Sequence, residues 1–161
     1  MEFRYLTAED AEEASAFVHD MWVDTYAPIV LGGRERAENI FDDWIGPNKI
    51  RRDMSRGHFF IYIVEDGKEI GLMSAGKEDG GLEISKIYLL PEYRGRGLGR
   101  KCMEFMMERG RELGCKRAYL EANHDNKNAL AFYESLGFRQ DGINQYDHSY
   151  TLVMARELRS P

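Results

Sequence analysis

The sequence has few of the features that mark secreted, membrane-spanning or metal-binding proteins. Its 161 residues include only two cysteines, Cys102 and Cys115, too few for a disulfide framework or a paired metal-ligand spacing. No apolar stretch approaches the roughly 20 residues that cross a bilayer, and the first residues lack the basic and apolar regions of a secretory signal. We therefore expect a cytoplasmic protein that has no membrane partner and folds as one domain over residues 1–161.

The sequence is also short of histidine and of positive charge. The four histidines share no spacing that would gather ligands around an ion, so we predict no metal site. They are His19, His58, His124 and His148. The formal net charge is −6, which disfavours a protein that coats nucleic acid.

The charges that are present are unevenly distributed along the chain. Between Thr7 and Ile45 there are ten acidic residues and two basic ones, whereas between Arg94 and Arg117 there are eight basic residues and three acidic ones. One part of the molecule should therefore favour cations and another an anionic group such as phosphate, although solvated helix faces would explain the same charges.

Apolar residues recur with helical and strand periods in separate segments, and Gly or Pro stands between many of them. Predicted strands cover 3–6, 59–64, 69–75, 82–90, 117–122, 137–141 and 150–155, and predicted helices 7–25, 34–45, 52–56, 98–113 and 126–136. The continuously apolar run Ile87–Leu90 predicts burial of both strand faces. The order βααβββαβαββ indicates one α/β (α+β) domain, with a mixed central sheet and helices on both faces.

The most informative segment runs from Leu89 to Arg100, where a strand ends, a loop turns sharply and a helix begins near Leu98. The first N–H groups of a helix lack partners and carry a partial positive charge, so they attract phosphate. Glycine would allow a positive φ and a close ligand approach, and arginine would add charge. The glycines are Gly95, Gly97 and Gly99, and the arginines are Arg94, Arg96 and Arg100.

Several phosphate-binding patterns do not fit this loop. A Walker A loop ends in Gly-Lys-Ser/Thr, and residues 99–102 read Gly-Arg-Lys-Cys. A Rossmann loop has the pattern Gly-x-Gly-x-x-Gly. Its third glycine would fall on Arg100 when counted from Gly95, and on Cys102 when counted from Gly97. An RGG-type RNA segment would be disordered, whereas this one is flanked by apolar structure. A tight turn before a helix remains the structural alternative.

The spacing Arg94-x-x-Gly97-x-Gly99 resembles the coenzyme A loop of the GNAT acetyltransferase superfamily. The resemblance implies that the loop holds the pyrophosphate of acetyl-CoA and that the preceding strand pairs with the pantetheine arm. It also implies a bulged strand that splays from its neighbour. The alternation of apolar residues shifts phase between Ile84 and Ile87. A bulge would explain this shift, and so would burial of both strand faces. The implied contacts are Ile87, Tyr88, Leu89, Arg94, Gly95, Arg96, Gly97, Leu98, Gly99 and Arg100.

A second segment, residues 126–138, is similar to the family pattern N-x-x-A-x-x-F-Y-x-x-x-G-F at every fixed position. The resemblance implies that Asn126 contacts the cofactor and that Tyr133 stands near the thioester sulfur. We expect Phe132 and Phe138 to belong to the core. A helix tyrosine whose hydroxyl bonds to the backbone is the structural alternative for Tyr133.

Acetyl transfer to an amine needs a neutral amine, a polarised thioester carbonyl and a proton for the departing thiolate. The resemblance implies that Tyr133 donates that proton, and the N–H of Leu89 is the candidate for polarising the carbonyl. Glu83 lies eleven residues before Arg94, where the histone-modifying branch carries its catalytic glutamate, and Glu121 competes as a base that acts through water. A solvated or salt-bridged glutamate is the alternative for each. We expect the cysteines to pack, so that transfer is direct within a ternary complex.

Acidic and aromatic residues together in the first two helices suit a cationic amine. The stretch Trp22-x-x-Thr25-Tyr26 resembles PaiA-type spermidine/spermine acetyltransferases, which implies a polyamine or another small primary amine as the acceptor. Trp22, Tyr26 and Glu83 are the predicted acceptor-binding residues. His148 and Tyr146 would line the acceptor side, or simply form a loop before the last strand.

Other functions fit parts of the sequence. A protein or peptide amino group is the second acceptor, and a non-catalytic acetyl-CoA sensor would need neither Tyr133 nor Glu83. The overall acidity disfavours a nucleotide or RNA binder. No pattern decides between a monomer and a homodimer.

Overall fold

The computed structural model of the chain describes residues 1–146 and 149–159. The chain divides into two compact units. The first comprises residues Met1–Ser74 and Lys86–Gly95, and the second comprises Ala75–Ser85 and the chain from Arg96 onward. Two strands, β3 (Lys68–Glu78) and β4 (Gly81–Leu89), have residues in both units.

The first unit is rich in helix. Its elements are β1 (Glu2–Tyr5), α1 (Ala11–Tyr26), α2 (Gly33–Ile45), α3 (Pro47–Ser55), β2 (Phe59–Glu65), the beginning of β3 (Lys68–Glu78) and the end of β4 (Gly81–Leu89). Within this unit the strands follow the hydrogen-bonded order β1-β2-β3-β4, and β1 is antiparallel to β2.

Local sequence explains where these helices begin. The Asp10 carboxylate accepts a hydrogen bond from the Thr7 N–H at 2.8 Å, which completes a short 3-10 turn directly before α1. Gly46 ends α2, and Pro47 then occupies the first turn of α3, where the missing N–H costs nothing. The helix predicted over 52–56 therefore begins at Pro47, earlier than expected.

One apolar cluster holds the helices of the first unit against its strands. Its members include the buried residues Val18, Trp22, Phe41, Phe60 and Leu72. Because each buried large apolar side chain contributes about 1.5–3 kcal/mol, this cluster accounts for the stability of the helical region.

The second unit contains the end of β3, the beginning of β4 and five further elements. They are α4 (Leu98–Glu112), β5 (Arg117–Asn123), α5 (Lys127–Ser135), β6 (Arg139–Gln145) and β7 (Tyr150–Glu157). The strands follow the order β3-β4-β5-β7-β6, with β4 parallel to β5 and both β5 and β6 antiparallel to β7. Buried residues recur along α4 at helical spacing, from Cys102 and Met103 to Met106 and Gly110.

The mixed sheet and the predicted order of strands are confirmed, but three helices lie between β1 and β2, where the order βααβββαβαββ has two. Strand β4 differs from the prediction, because Ile87, Tyr88 and Leu89 are half-buried rather than covered on both faces. Within the second unit, the register of β4 and β5 pairs Leu82 with Ala118 and Glu83 with Tyr119. No helix among the described residues has the length and apolarity that a membrane crossing requires.

Candidate functional site

The loop between β4 and α4 has the backbone that its glycines predict. A short 3-10 turn over Pro91–Tyr93 follows the strand. Gly95 has φ 75° and Gly97 has φ 79°, both in the left-handed region that glycine adopts without a steric penalty. These two residues turn the chain sharply into α4.

The beginning of α4 has no side-chain cap. Gly97 is the N-cap residue and, having no side chain, makes no side-chain cap hydrogen bond to the first-turn N–H groups. In an α-helix these groups have no partner within the helix and carry a partial positive charge. The first turn of α4, from Leu98 to Arg100, therefore has donors that suit an anion such as pyrophosphate.

Gly99 has a different role from the two glycines before it. It lies within α4, and a Cβ placed on it would stand 3.3 Å from the ring of Phe132 on α5. Its missing side chain therefore allows the beginning of α4 to pack closely on α5, rather than providing a positive φ.

The side chains of the three loop arginines have different surroundings. The Nε of Arg94 donates to the carbonyl oxygen of Leu89 at 3.0 Å, and Nη2 of Arg100 donates to Oγ of Ser135 at 3.2 Å. Arg96 is exposed. Arg94 thus restrains the end of β4 and Arg100 links α4 to α5, in addition to the charge that each supplies.

The residues at the end of β4 are partly accessible. Ile87, Tyr88 and Leu89 are half-buried, and the N–H of Leu90 donates to the carbonyl of Ile70 on β3 at 2.8 Å. A Cβ on Gly71 would fall against the Tyr88 carbonyl oxygen and the Leu89 side chain. Gly71 therefore lets β3 approach this part of β4 closely.

Helix α5 carries both residues of the second motif. Asn126 is its N-cap, and its side-chain oxygen accepts a hydrogen bond from the N–H of Ala129 at 3.1 Å. Tyr133 is half-buried, with its ring centroid 5.4 Å from that of Phe132 and 6.1 Å from that of Phe138. As predicted, Phe138 is a core residue, whereas Phe132 is only half-buried.

Glu121 is held by hydrogen bonds from two neighbouring strands and the residue after β6. Its Oε1 accepts from Asn144 at 2.8 Å, from Tyr146 at 2.9 Å and from Thr151 at 2.5 Å. Partial burial opposes ionisation, but these donors together outweigh it and lower the pKa of Glu121 below its ordinary value. A carboxylate held in its ionised form in this way is a weak proton acceptor.

Glu83 is the half-buried alternative to Glu121. It lies on β4 opposite Tyr119 of β5 in the parallel pair. The burial pattern of β5 alternates, with Ala118, Leu120 and Ala122 covered. Tyr119 and Glu121 therefore share the opposite, more open face of the sheet.

Neither cysteine has the properties of a nucleophile. Cys102 is fully buried in α4, and burial raises the pKa of its thiol to about 12. Burial also raises the pKa of Cys115. Because the thiolate is the reactive form, both residues fit the packing role that the sequence predicts. The described residues contain no group of three or more metal-ligating side chains.

The predicted acceptor-binding residues of α1 differ in accessibility. Trp22 is 4% exposed and packs against Phe41, with ring centroids 5.6 Å apart. Tyr26 is half-buried, 4.6 Å from the Trp22 ring. Trp22 is thus a core residue that supports Tyr26, and only Tyr26 has appreciable surface for an acceptor.

Several acids of α1 and α2 already have cationic partners. Glu38 and Asp20 both contact the His19 ring, at 2.6 and 2.9 Å. Asp24 pairs with Arg34 at 2.6 Å. The exposed acids left on α2 include Glu35, Asp42 and Asp43. Tyr146 contacts Glu121, whereas His148 lies outside the described residues.

Comparison with known proteins decides the family. The model of the acetyltransferase (GNAT) family matches residues 15–138. The chain belongs to this family. The match confirms the resemblance drawn from the loop and from α5, and with it the enzyme class, N-acetyltransferase. Enzymes of the GNAT family use acetyl-CoA.

Individual relatives agree with this assignment. An uncharacterized N-acetyltransferase of Escherichia coli (strain K12), YjgM, is 40% identical over 86 residues, which are 51% of this chain and 52% of that one. The spermine/spermidine N(1)-acetyltransferase of Bacillus subtilis (strain 168) is 30% identical over 82 residues, 50% of this chain and 53% of that one. These alignments span about half the length of each relative.

A solved structure confirms the GNAT fold. The PaiA N-acetyltransferase of Thermoplasma acidophilum, in complex with coenzyme A, has a TM-score of 0.80 to this chain. The likeness covers 97% of this chain and 98% of that one at 22% identity.

Sequence patterns missed the residues that surround the two glutamates. Tyr119, Asn144 and Thr151 belong to no family motif. Tyr119 stands two positions before Glu121 on a strand with alternating burial, so strand periodicity was the one signal that would have placed it on the same face. Asn144 and Thr151 depend on the pairing of β6 with β7, which no local pattern specifies.

Proposed function

We propose that this protein transfers an acetyl group from acetyl-CoA to a primary amine, preferably a polyamine or another small cationic amine, by direct attack in a ternary complex. The observation that carries the proposal is the uncapped beginning of α4 behind the left-handed Gly97. In a GNAT chain this is the feature that suits a pyrophosphate.

The residues present fit acetyl-CoA. The N–H groups of Leu98, Gly99 and Arg100 would hold the pyrophosphate, and the backbone of Ile87–Leu89 would pair with the pantetheine arm. Arg94, Gly95 and Arg96 complete the loop, and the side-chain amide of Asn126 still has donors after it caps α5. Bound there, acetyl-CoA would supply an activated acyl thioester.

Three groups of the chain would then perform the chemistry. Glu83 takes a proton from the amine, since an alkyl ammonium with a pKa near 10 must become neutral to attack. The N–H of Leu89 polarises the acyl carbonyl. The Tyr133 hydroxyl donates a proton to the departing sulfur.

Glu83 is a better candidate base than Glu121. The three donors on Glu121 Oε1 stabilise its anionic form, and its pKa is lowered accordingly. We assign Glu121 to fixing Tyr146 and Thr151 around the face of the sheet that it shares with Tyr119. Glu83→Gln should therefore lower kcat by about 10²-fold or more, and Glu121→Gln by much less.

The choice of a polyamine as acceptor rests on a separate set of observations. It rests on the exposed acids of α2, on Tyr26, and on the relative from Bacillus subtilis that is named for spermine and spermidine. A cation with two or more charges would be attracted to such a surface.

The test is release of free coenzyme A from acetyl-CoA with a panel of polyamines, aminoglycosides, amino acids and lysine peptides. We expect turnover to be fastest with spermidine. If only lysine peptides are acetylated, the acceptor is a protein amino group rather than a small amine. Tight acetyl-CoA binding without turnover of any acceptor would indicate a sensor.

A further inference from the structure

We propose that Gly71 of β3 is a positioning residue for acetyl transfer, because its missing side chain lets the peptide between Tyr88 and Leu89 turn so that the Leu89 N–H points away from Gly71. Gly71 would act only through that N–H, so the proposal rests on the proposed function, in which the Leu89 N–H polarises the acyl carbonyl. Gly71 itself lies outside both family motifs.

The space around Gly71 is filled by the end of β4. Gly71 is buried in β3, and a glycine within a strand often marks the close approach of another backbone. A Cβ added to it would overlap the carbonyl oxygen of Tyr88, and would stand 2.9 Å from Cδ1 of Ile63 and 2.9 Å from Cδ2 of Leu89. The φ of Gly71 is outside the left-handed region, so glycine is required here for space and not for backbone conformation.

The position of the Tyr88 oxygen fixes the direction of the next N–H. In a regular ladder the carbonyl oxygens lie between the strands, whereas each Cβ leaves the sheet toward one face. The Tyr88 oxygen occupies the space of a Gly71 Cβ, so this carbonyl is turned toward that face. The Tyr88 C=O and the Leu89 N–H belong to one planar trans peptide, in which they point in opposite directions. The Leu89 N–H therefore points away from Gly71.

The following peptide, between Leu89 and Leu90, is held by two hydrogen bonds. The N–H of Leu90 donates to the Ile70 carbonyl at 2.8 Å, and Nε of Arg94 donates to the Leu89 carbonyl at 3.0 Å. Both polar groups of this peptide therefore have fixed partners. A displaced Tyr88 carbonyl would turn the Leu89 N–H rather than shift the whole end of the strand.

Gly110 of α4 provides a matched control for crowding that does not turn a peptide. A Cβ on Gly110 would stand 2.8 Å from Cδ1 of Leu158 and 3.2 Å from Cδ2 of Leu82. Both atoms are ends of side chains, which can change rotamer without a change in the backbone. Gly110→Ala should therefore crowd the core and leave the reaction intact, whereas Gly71→Ala should impair it.

The first arm of the test observes the acyl carbonyl directly and needs no acceptor. Acetyl-CoA labelled with ¹³C at its carbonyl carbon is bound to each protein at saturation. A hydrogen bond to the carbonyl oxygen draws electrons from the carbon, so the signal of the wild-type complex should lie downfield of that of free acetyl-CoA. Gly71→Ala should lose most of this downfield shift, and Gly110→Ala should keep it.

The second arm separates the Tyr88 carbonyl from the side chains around Gly71. Ile63→Val removes the Cδ1 atom that a new Cβ would meet and leaves the carbonyl oxygen in place. Added to Gly71→Ala, it should raise the Tm of that variant without restoring the ¹³C shift. If Gly71→Ala alone does not fold, this double variant takes its place in every measurement.

The third arm compares catalysis with binding. With acetyl-CoA and spermidine, the kcat of Gly71→Ala should fall by about 10²-fold, which is the loss that follows removal of one oxyanion donor. The Kd of free coenzyme A, which has no acyl carbonyl, should change far less than kcat. A Kd that rises as much as kcat falls would overturn the proposal, because Gly71 would then shape the strand for binding alone.

A measurement on the wild-type protein decides even if neither variant folds. Residual dipolar couplings of the backbone give the orientation of the peptide between Tyr88 and Leu89 relative to its neighbours in β4. We expect the Leu89 N–H to be tilted out of the plane of the sheet. An N–H that lies in that plane would overturn the proposal.

The outcomes separate the role of Gly71 from the function on which it rests. A downfield shift that Gly71→Ala preserves, or that Ile63→Val restores, would overturn the role of Gly71 and leave a polarising donor in place. A wild-type complex without any downfield shift would overturn the polarising N–H of the proposed function, and the role of Gly71 with it.

Discussion

The two compact units differ in the surroundings of the polar residues that the proposed function uses. In the first unit, acids of α1 and α2 are paired with cations of the same unit, as Glu38 is with His19 and Asp24 with Arg34. In the second unit, the first turn of α4 is uncapped and Glu121 collects three neutral donors. The ion pairs of the first unit stabilise its helices, whereas the first turn of α4 in the second unit has N–H groups that suit a ligand. The cofactor site is therefore much better defined than the acceptor site.

The largest expected effect lies in the second unit, at the proposed proton donor. Tyr133→Phe removes the hydroxyl without changing the ring contacts with Phe132 and Phe138, so kcat should fall by about 10²-fold or more. Stopped-flow release of free coenzyme A measures kcat, and calorimetry should show an unchanged Kd for acetyl-CoA. Tyr62→Phe in the first unit should keep full activity. Equal kcat in Tyr133→Phe and wild type would remove the general acid from the account.

Alanine substitutions at the two ends of α4 separate loss of the anion site from the effect of backbone strain. Gly97 and Gly114 both have φ 79°, and a Cβ on either would meet nothing within 4 Å. Alanine in the left-handed region costs about 1–2 kcal/mol at each position, so both variants should lose similar stability in urea. Gly97→Ala alone should also weaken coenzyme A binding, by about tenfold, because it disturbs the uncapped N–H groups. Equal Kd values for the two variants would contradict the site.

Neutralising the exposed acids of the first unit tests whether that region attracts the acceptor. In the double variant that carries Asp42→Asn and Asp43→Asn, the KM for spermidine should rise about threefold, because each exposed charge contributes little to binding of the acceptor. The kcat and the Kd of acetyl-CoA should stay unchanged. Glu104→Gln with Glu108→Gln, on the exposed side of α4, is the charge-matched control. If the KM rises equally in both double variants, the effect comes from net charge and not from an acceptor site on α2.

The smallest effect concerns the pairing of α1 with α2. Hydrogen bonds from the His19 ring to Asp20 and then to Glu38 raise the pKa of His19 above 6.5 against the effect of partial burial. The stabilisation is therefore complete below pH 6.5 and is lost as the pH rises through the higher folded-state value. Because the ring is partly exposed, we expect only about 0.5 kcal/mol. The free energy of unfolding of wild type and of His19→Gln is measured in urea at pH 6 and about pH 9. A stability difference between the two proteins that grows with pH would contradict the prediction.

The sequence predicted those parts of the fold and site that depend on neighbouring residues. The left-handed turns at Gly95 and Gly97 and the beginning of α4 at Leu98 follow from local backbone chemistry. Most strand positions followed from alternation and turn residues in the same way.

The remaining features depend on contacts between distant segments. Trp22 matched a substrate motif, but its burial is set by Phe41 and the first-unit core. The properties of Glu121 depend on Asn144 and Thr151, which the register of β6 and β7 brings to it. The role of Gly99 depends on the ring of Phe132. No pattern within a single segment contains this information.

The central claim is that the first turn of α4 binds the pyrophosphate of coenzyme A, and backbone amide chemical shifts test it most directly. The uniformly ¹⁵N-labelled protein is titrated with coenzyme A and, separately, with pantetheine, which lacks the pyrophosphate. We predict that the amides of Leu98, Gly99 and Arg100 shift strongly with coenzyme A and little with pantetheine. Amides of α4 that stay unmoved at saturating coenzyme A would contradict the claim.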